Sequence, residues 1–149
     1  MKRMYLENFG DRLAASLGGR GRVVFEVSEE RGMGTSPTFV VRVYQWAGKN
    51  QAPRSLGQMA FALHPDRRAE IQSFTIEDWD VKRLYGPRLL RWFLWFAKSK
   101  KRATVANGNI FGTDMHTSEK LEVFRTHGFD IREMGSMSGH LEYAIERKL

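Results

Sequence analysis

The residues best suited to chemistry in this sequence are cations concentrated in one short stretch. Residues 81–102 contain 8 basic and no acidic side chains, whereas the whole chain of 149 residues has a formal net charge of +7. A local excess of charge attracts an anionic partner, which here would be a phosphorylated cofactor, nucleic acid or anionic lipid. A solvated, lysine-rich helix end is the alternative interpretation, and charge alone does not choose between them.

The start of this stretch has the features of an anion-binding helix N-terminus. Pro87 predicts a first helical turn, because the N–H that proline lacks has no helical partner there. Gly86 and Arg88 keep backbone N–H groups that could face a phosphate. Lys82 and Arg83 add charge, and an arginine such as Arg88 can pair with phosphate through two hydrogen bonds. A plain loop-to-helix junction with basic side chains is the alternative.

Other kinds of site find little support. The chain has no cysteine, so it has neither disulfides nor a cysteine-based metal site or nucleophile. Its four histidines lack metal-ligand spacing, and no Walker motif or Ser/His/Asp arrangement is present. The longest apolar stretch, Leu89 to Ala97, is interrupted by Arg91 and is too short to span a bilayer. Residues 1–10 lack the apolar run of a signal peptide, so we expect a cytoplasmic protein without membrane contacts.

Length and composition predict a single globular domain over residues 1–149. Hydrophobic residues make up 42% of the chain and charged residues 28%, which is typical of a folded domain with its own core.

The first half of the chain predicts a helix followed by a meander of strands. Apolar spacing predicts a short amphipathic helix over residues 5–17. Alternating and β-branched segments predict strands at 23–27, 38–46, 55–63 and 69–77. Short turns separate these strands, so we expect consecutive strands to be antiparallel neighbours.

The second half predicts helices alternating with strands. A buried helix is expected over 87–101, a short strand over 103–106 and a loop over 107–116. A helix should begin at Thr117 and end at Gly128, before strands at 131–134 and 140–145. This order predicts an α/β (α+β) fold with a mixed, mostly antiparallel central sheet of about six or seven strands, flanked by helices.

Two segments resemble the GNAT superfamily of N-acetyltransferases. In that family, a strand and a short loop precede the pattern Arg/Gln-x-x-Gly-x-Gly/Ala and a helix that begins with a leucine pair. Residues 69–90 are similar when aligned without a gap, with Gly86 on the second glycine, Leu84 on the first and Val81 on the Arg/Gln. A second alignment places Arg83 on the Arg and Gly86 on the first glycine, which leaves Arg88 on the last small position.

The second segment, residues 121–129, resembles the Leu-Tyr-x-x-x-Gly-Phe ending of the family's last helix. Gly128 and Phe129 occupy the Gly and Phe positions. Phe124 occupies the position of the tyrosine that often serves as general acid toward the CoA thiolate. Phenylalanine cannot donate a proton, so the resemblance is to a divergent member of the family.

The resemblance implies an acyl-CoA N-acyltransferase-like fold that transfers an acyl group from acetyl-CoA to an unidentified amine. It implies general base candidates at Glu70, Glu77 and Asp78, acting directly or through water. The cofactor-binding residues that it implies are Phe74, Thr75, Ile76, Lys82, Arg83, Leu84, Tyr85, Gly86, Arg88 and Phe124.

Two other hypotheses stay open. A catalytically weak or inactive protein of the same fold, binding CoA or a partner, would explain Leu84, Arg88 and Phe124. A basic nucleic-acid-binding module would explain the charged stretch, although its aromatic residues are more typical of a core. The family also leaves a homodimer open, because its members often pair through sheet edges or their last strands.

Overall fold

The computed structural model describes residues 4–5, 22–30, 36–46, 52, 54–76, 79–112, 117–137 and 140–149. The strands are β1 (Met4–Tyr5), β2 (Arg22–Glu30), β3 (Thr38–Trp46), β4 (Arg54–Leu63), β5 (Arg68–Ile76), β6 (Val105–Gly112), β7 (Asp130–Met137) and β8 (His140–Lys148). Helix α1 (Trp79–Trp95) continues into a π-helical turn (Phe96–Lys100), and helix α2 spans Thr117–Thr126.

The strands are hydrogen-bonded neighbours in the order β1-β2-β3-β4-β5-β6-β8-β7. Strands β5 and β6 are parallel, as expected for two strands joined by a helix. Strand β8 returns antiparallel between β6 and β7. The mixed, mostly antiparallel sheet with helical crossovers is therefore confirmed.

The first of two compact units comprises Met1–Phe61 and Ser73–Tyr85. Its core contains Phe39 stacked on Phe61, with ring centroids 5.4 Å apart, beside the fully buried Val41. At its surface, Arg42 on β3 donates to Glu30 of β2 over 2.7 Å. The pKa of Arg42 is raised above its ordinary value, chiefly by this hydrogen bond.

The second unit comprises Ala62–Gln72 and Gly86–Leu149. Trp92 and Phe96 stack with ring centroids 5.0 Å apart, and Leu90, Phe93 and Ala97 are fully buried. The predicted buried helix is therefore confirmed from Leu89 to Ala97 except at Trp95, which is exposed, as is the charged Arg91. An aromatic core of this kind removes large areas from water, and each such side chain contributes about 1.5–3 kcal/mol when fully buried.

The start of α1 differs from the sequence prediction. The helix begins at Trp79, and Pro87 lies inside it rather than in its first turn. The reason is packing: Tyr85 is fully buried and precedes the buried Leu89 by one helical turn. Continuing the helix back through Tyr85 outweighs the hydrogen bond that Pro87 cannot donate to the carbonyl of Arg83.

The length of β6 also differs from the prediction. The segment expected to be a loop continues the strand as far as Gly112. Ala106 and Gly108 lie on the buried face, so the strand has the period of two that pairing requires. Gly108 suits this close approach, because a Cβ there would lie a tight 3.1 Å from the carbonyl oxygen of Ile71. The Asn and Gly residues that suggested a turn therefore belong to a paired strand.

Most other elements agree with the sequence prediction within a few residues. The 38–46 strand has the predicted bounds, and α2 begins at Thr117 as expected. Except for Tyr5, which is in β1, the helix predicted over 5–17 lies outside the described residues.

Candidate functional site

The pairing between β5 and β6 ends early and leaves one edge of β6 open. Residues 68–71 of β5 pair with residues 105–108 of β6, and the last pair is Ile71 with Gly108. Strand β6 continues to Gly112, paired with β8 along its other edge. Within the described residues, the edge of 109–112 that faces away from β8 therefore has no strand partner. Its backbone N–H and C=O groups are available to an extended ligand.

Glu70 lies on β5 one residue before this pairing ends. Its carboxylate Oε1 is 3.4 Å from Nε2 of His64, and its Oε2 accepts a hydrogen bond from Arg68 over 3.4 Å. The side chain is 35% exposed, so water or a substrate can reach it. Two neighbouring hydrogen-bonding groups orient the carboxylate without enclosing it.

A row of polar residues crosses the sheet at the level of Glu70. Asn107 of β6 lies opposite Glu70, Glu146 of β8 lies opposite Asn107, and Asp130 of β7 lies opposite Glu146. We call these four residues the carboxylate row. Among the described atoms, the buried Oδ1 of Asn107 has no hydrogen-bond partner. Such an acceptor is costly, so a donor bound here would be stabilised.

The residues expected to contact pantetheine end β5. The side chain of Phe74 is half-buried, that of Thr75 is exposed and that of Ile76 is buried. Lys82 donates to the carbonyl oxygen of Phe74 over 3.5 Å, and its Nζ lies 5.8 Å from the centre of the Phe74 ring. Gly57 of β4, at φ +152°, is needed because a Cβ would collide with the Thr75 carbonyl.

The segment expected to bind the pyrophosphate is helical. Lys82, Arg83, Leu84, Tyr85, Gly86 and Arg88 all lie within α1. Gly86 is buried, and its N–H and that of Arg88 belong to the helix interior rather than to a free N-terminus. The loop that would cradle a phosphate is therefore absent from these residues. The side chains of Lys82 and Arg88 are half-buried and that of Arg83 is exposed, so their charges reach the surface.

Phe124 has a packing role at the end of α2. Gly128 is left-handed at φ +83°, the N–H of Phe129 donates to the Phe124 carbonyl over 3.1 Å, and that of Gly128 donates to the Arg125 carbonyl over 3.1 Å. This pair of bonds is a Schellman motif. The rings of Phe124 and Phe129 pack edge to face with their centroids 5.3 Å apart. Gly128 and Phe129 therefore end the helix and cover the ring of Phe124.

Two of the predicted general bases, Glu77 and Asp78, lie outside the described residues. Sequence reasoning missed His64 and Asn107 as neighbours of Glu70. The alternation of Ala106, Gly108 and Ile110 with polar residues was the signal that could have placed Asn107 on a strand.

No group of metal-binding side chains occurs among the residues that the structure describes. In the same part of the chain, no helix is long and apolar enough to cross a membrane.

Comparison with known proteins finds similarity in structure. No protein-family model matches the chain, and the comparison with curated proteins found no match either. An acetyltransferase from Bacillus cereus is 22% identical and has a TM-score of 0.52, over 75% of this chain and 74% of that one. A spermidine N-acetyltransferase from Vibrio cholerae is 11% identical, with a TM-score of 0.52 over 78% of this chain and 67% of that one.

A third solved structure, from Desulfovibrio desulfuricans, carries the name of the GNAT family of acetyltransferases. It is 8% identical and has a TM-score of 0.54, over 74% of this chain and 69% of that one. The chain therefore has the GNAT acyl-CoA N-acyltransferase fold, and the resemblance found in the sequence is confirmed at the level of the fold.

Proposed function

We propose that this chain transfers an acyl group from acyl-CoA to an amine. The observation that carries the proposal is the open edge of β6 within a GNAT fold, where pairing with β5 stops at Ile71 and Gly108. The pantetheine arm of CoA contains two amide groups, and an unpaired strand edge can hydrogen-bond to such amides as it would to another strand. The thioester of the bound acyl-CoA supplies the acyl group.

Glu70 is the general base of this proposal. Its carboxylate takes a proton from the attacking amine, directly or through one water, so that the nitrogen lone pair can form the new C–N bond while the C–S bond breaks. Phe124 donates no proton, so the departing thiolate leaves as the anion or is protonated by solvent.

Charged side chains of α1 replace the missing phosphate loop. The backbone groups of Phe74, Thr75 and Ile76 contact the pantetheine arm on this proposal. Lys82 and Arg83 supply charge to the phosphates, because ammonium and guanidinium groups bind phosphate without a free helix N-terminus. Tyr85 and Gly86 are buried and serve the helix instead.

The acceptor is a cationic amine on this proposal. In the carboxylate row, Glu146 lies two strands from Glu70 and next to Asp130, and adjacent strands are about 4.8 Å apart. Such a row attracts a positively charged substrate and holds its amine near Glu70. A spermidine N-acetyltransferase among the structural neighbours acts on a substrate of this charge. We place the reaction in the cytoplasm, where acyl-CoA is available.

Thermal unfolding followed by tryptophan fluorescence tests the proposal, with acetyl-CoA as ligand and ATP as anion control. A ligand present at a hundred times its Kd stabilises the folded chain by about 2.7 kcal/mol. We expect acetyl-CoA alone to raise the Tm. Lys82→Gln/Arg83→Gln should reduce that rise, whereas Arg132→Gln on β7 should not. The absence of any rise at high acetyl-CoA would refute the proposal.

A second candidate is a catalytically weak protein of this fold that binds CoA without transferring the acyl group. The observation in its favour is Phe124, which occupies the position where the family often has a proton donor. Its ring packs against Phe129, and its carbonyl takes part in the Schellman motif. Release of free thiol from acetyl-CoA with a series of polyamines and lysine peptides separates the two. A thermal shift without thiol release supports the second candidate.

A further inference from the structure

A second charged surface lies at the amino end of β6, away from the open edge. Six exposed cations form it, and we call them the basic surface: Arg67, Lys98, Lys100, Lys101, Arg102 and Lys148. Hydrogen bonds join the three chain segments that carry them. The N–H of Thr104 donates to the Arg67 carbonyl over 2.8 Å, and that of Leu149 donates to the Thr104 carbonyl over 2.9 Å.

The backbone of this surface is unusual at three points. The N–H of Lys101 donates to the Phe96 carbonyl over 3.1 Å, which is the wide spacing of a π-helical turn. Arg102 has φ +54° and Arg67 has φ +63°. These are the only non-glycine residues with positive φ in the described residues, and both are arginines of the basic surface. Strained backbone of this kind clusters at functional sites.

Helix termination explains only part of this charge. Lys98, Lys100 and Lys101 are favourable beside the negative end of α1, whose last turns end here. Arg67 is in the turn before β5 and Lys148 ends β8, so the helix dipole does not account for them. Asp66, the acidic residue of the same turn, contacts Arg68. Its carboxylate accepts a hydrogen bond from the backbone N–H of Arg68, with nitrogen and oxygen 3.2 Å apart, and lies 3.6 Å from Nε of the same residue.

An exposed aromatic ring adjoins the cations. Trp95 is 47% exposed, and Nζ of Lys100 lies 5.6 Å from its ring centre. The other exposed large apolar residues of the described chain, Phe111, Met134 and Leu141, lie farther along β6, β7 and β8. A membrane-binding surface needs a continuous apolar face, which one tryptophan does not provide. Proteins that bind single-stranded nucleic acid combine cations that contact the phosphates with aromatic rings on which bases stack, and this surface offers both kinds of group.

We propose that the basic surface binds single-stranded nucleic acid. The arginine and lysine side chains neutralise phosphates along the strand, and Trp95 stacks on one base. Binding is independent of sequence, because these contacts reach the backbone and the face of a base rather than its edges. The proposal does not depend on acyl transfer, since the surface lies at the end of β6 opposite to its open edge.

Fluorescence anisotropy with a labelled oligothymidylate, measured over a series of salt concentrations, tests the proposal on the full chain. The test variant is Arg67→Gly/Arg102→Gly, because glycine adopts both left-handed conformations without strain and the fold is kept. The matched control, Arg125→Gln/Arg132→Gln, removes the same charge from α2 and β7. Trp95→Leu tests the stacking contact.

We expect the wild-type affinity to fall steeply as salt rises, with a log–log slope of about 0.7 for each neutralised phosphate. The Arg67→Gly/Arg102→Gly variant should lower that slope by about 1.4 and weaken binding about tenfold or more at low salt. Trp95→Leu should weaken binding without changing the slope. The control should bind like the wild type.

Three results would overturn the proposal. One is the absence of binding at low salt. Another is equal weakening by the control and test variants, which would mean that net charge alone attracts the strand. The third is binding of phosphatidylserine vesicles through Arg67 and Arg102 when the oligonucleotide is not bound, which would assign the surface to anionic lipid instead.

Discussion

The proposed acyl transfer depends on the side chain of Glu70 as its general base. Replacing it by glutamine keeps the shape and removes the proton acceptor. We expect Glu70→Gln to lower kcat about 10²–10⁴-fold, with KM for acetyl-CoA little changed, because the carboxylate acts on the amine rather than on the cofactor. Steady-state thiol release measures both constants. Glu142→Gln, on β8 two strands away, is the control, and an equal loss there would contradict the assignment.

Phe124 provides the second residue-scale prediction. Its ring is buried and meets Phe129 edge to face, so Phe124→Leu should lower the free energy of unfolding by about 1–2 kcal/mol. Thermal unfolding should show a Tm lower by about 2–4 °C per kcal/mol. Activity per folded molecule should stay unchanged. A loss of kcat at unchanged Tm would mean that the ring contacts the reacting groups after all.

At the scale of elements, the position of Pro87 in α1 can be tested directly. A proline inside a helix costs about 3 kcal/mol, and part of this cost is offset because proline restricts the unfolded chain. Pro87→Ala should therefore raise the free energy of unfolding by about 1–3 kcal/mol, measured by urea denaturation. A helix that began at Pro87 would give no gain, because proline is favourable in the first turn.

The two helices end differently, and the difference predicts opposite effects of substitution. Helix α2 has Gly128 at its left-handed position, whereas Arg102 occupies the left-handed position after the π-helical turn. Gly128→Ala should destabilise the chain by about 1–2 kcal/mol. Arg102→Gly should be neutral or stabilising by up to about 1 kcal/mol. Destabilisation by Arg102→Gly would indicate that its side chain holds the fold.

The sequence predicted the fold where local pattern and packing agree. The strand over 38–46 has the predicted bounds, and the apolar residues of 89–97 other than Trp95 are buried as expected. It failed where tertiary packing overrides a local signal. Pro87 suggested a helix start, but the burial of Tyr85 extends the helix. The Asn and Gly residues after Ala106 suggested a loop, but pairing with β8 makes them a strand.

The candidate site could be predicted only in part for the same reason. Glu70 could be predicted because it is an acidic residue in the strand that resembles the GNAT family. Its neighbour His64 lies in the turn that precedes β5. Asn107 is distant in sequence, and only strand register brings it opposite Glu70. The open edge of β6 has no sequence signature, because it depends on where the pairing of two parallel strands stops.

At the scale of the whole molecule, the two proposed sites lie at opposite ends of β6, with the basic surface at its amino end and the open edge at its carboxyl end. Val105 and Gly112 are about 23 Å apart along an extended strand, so the basic surface and the open edge lie at separate ends of β6. We expect the Arg67→Gly/Arg102→Gly variant to retain the full rise in Tm with acetyl-CoA. Thermal unfolding with and without oligothymidylate measures this, and a lost acetyl-CoA effect would place the cofactor on the basic surface.

The open edge of β6 also has a consequence for amide hydrogen exchange. Alternate N–H groups of residues 109–112 point away from β8, and in the free protein they should exchange with solvent far faster than their neighbours in the same strand. An extended ligand on this edge would slow the exchange of these few amides. A strand edge of this kind can also accept a strand from a second molecule, so the unliganded protein should be the form more prone to self-association at high concentration.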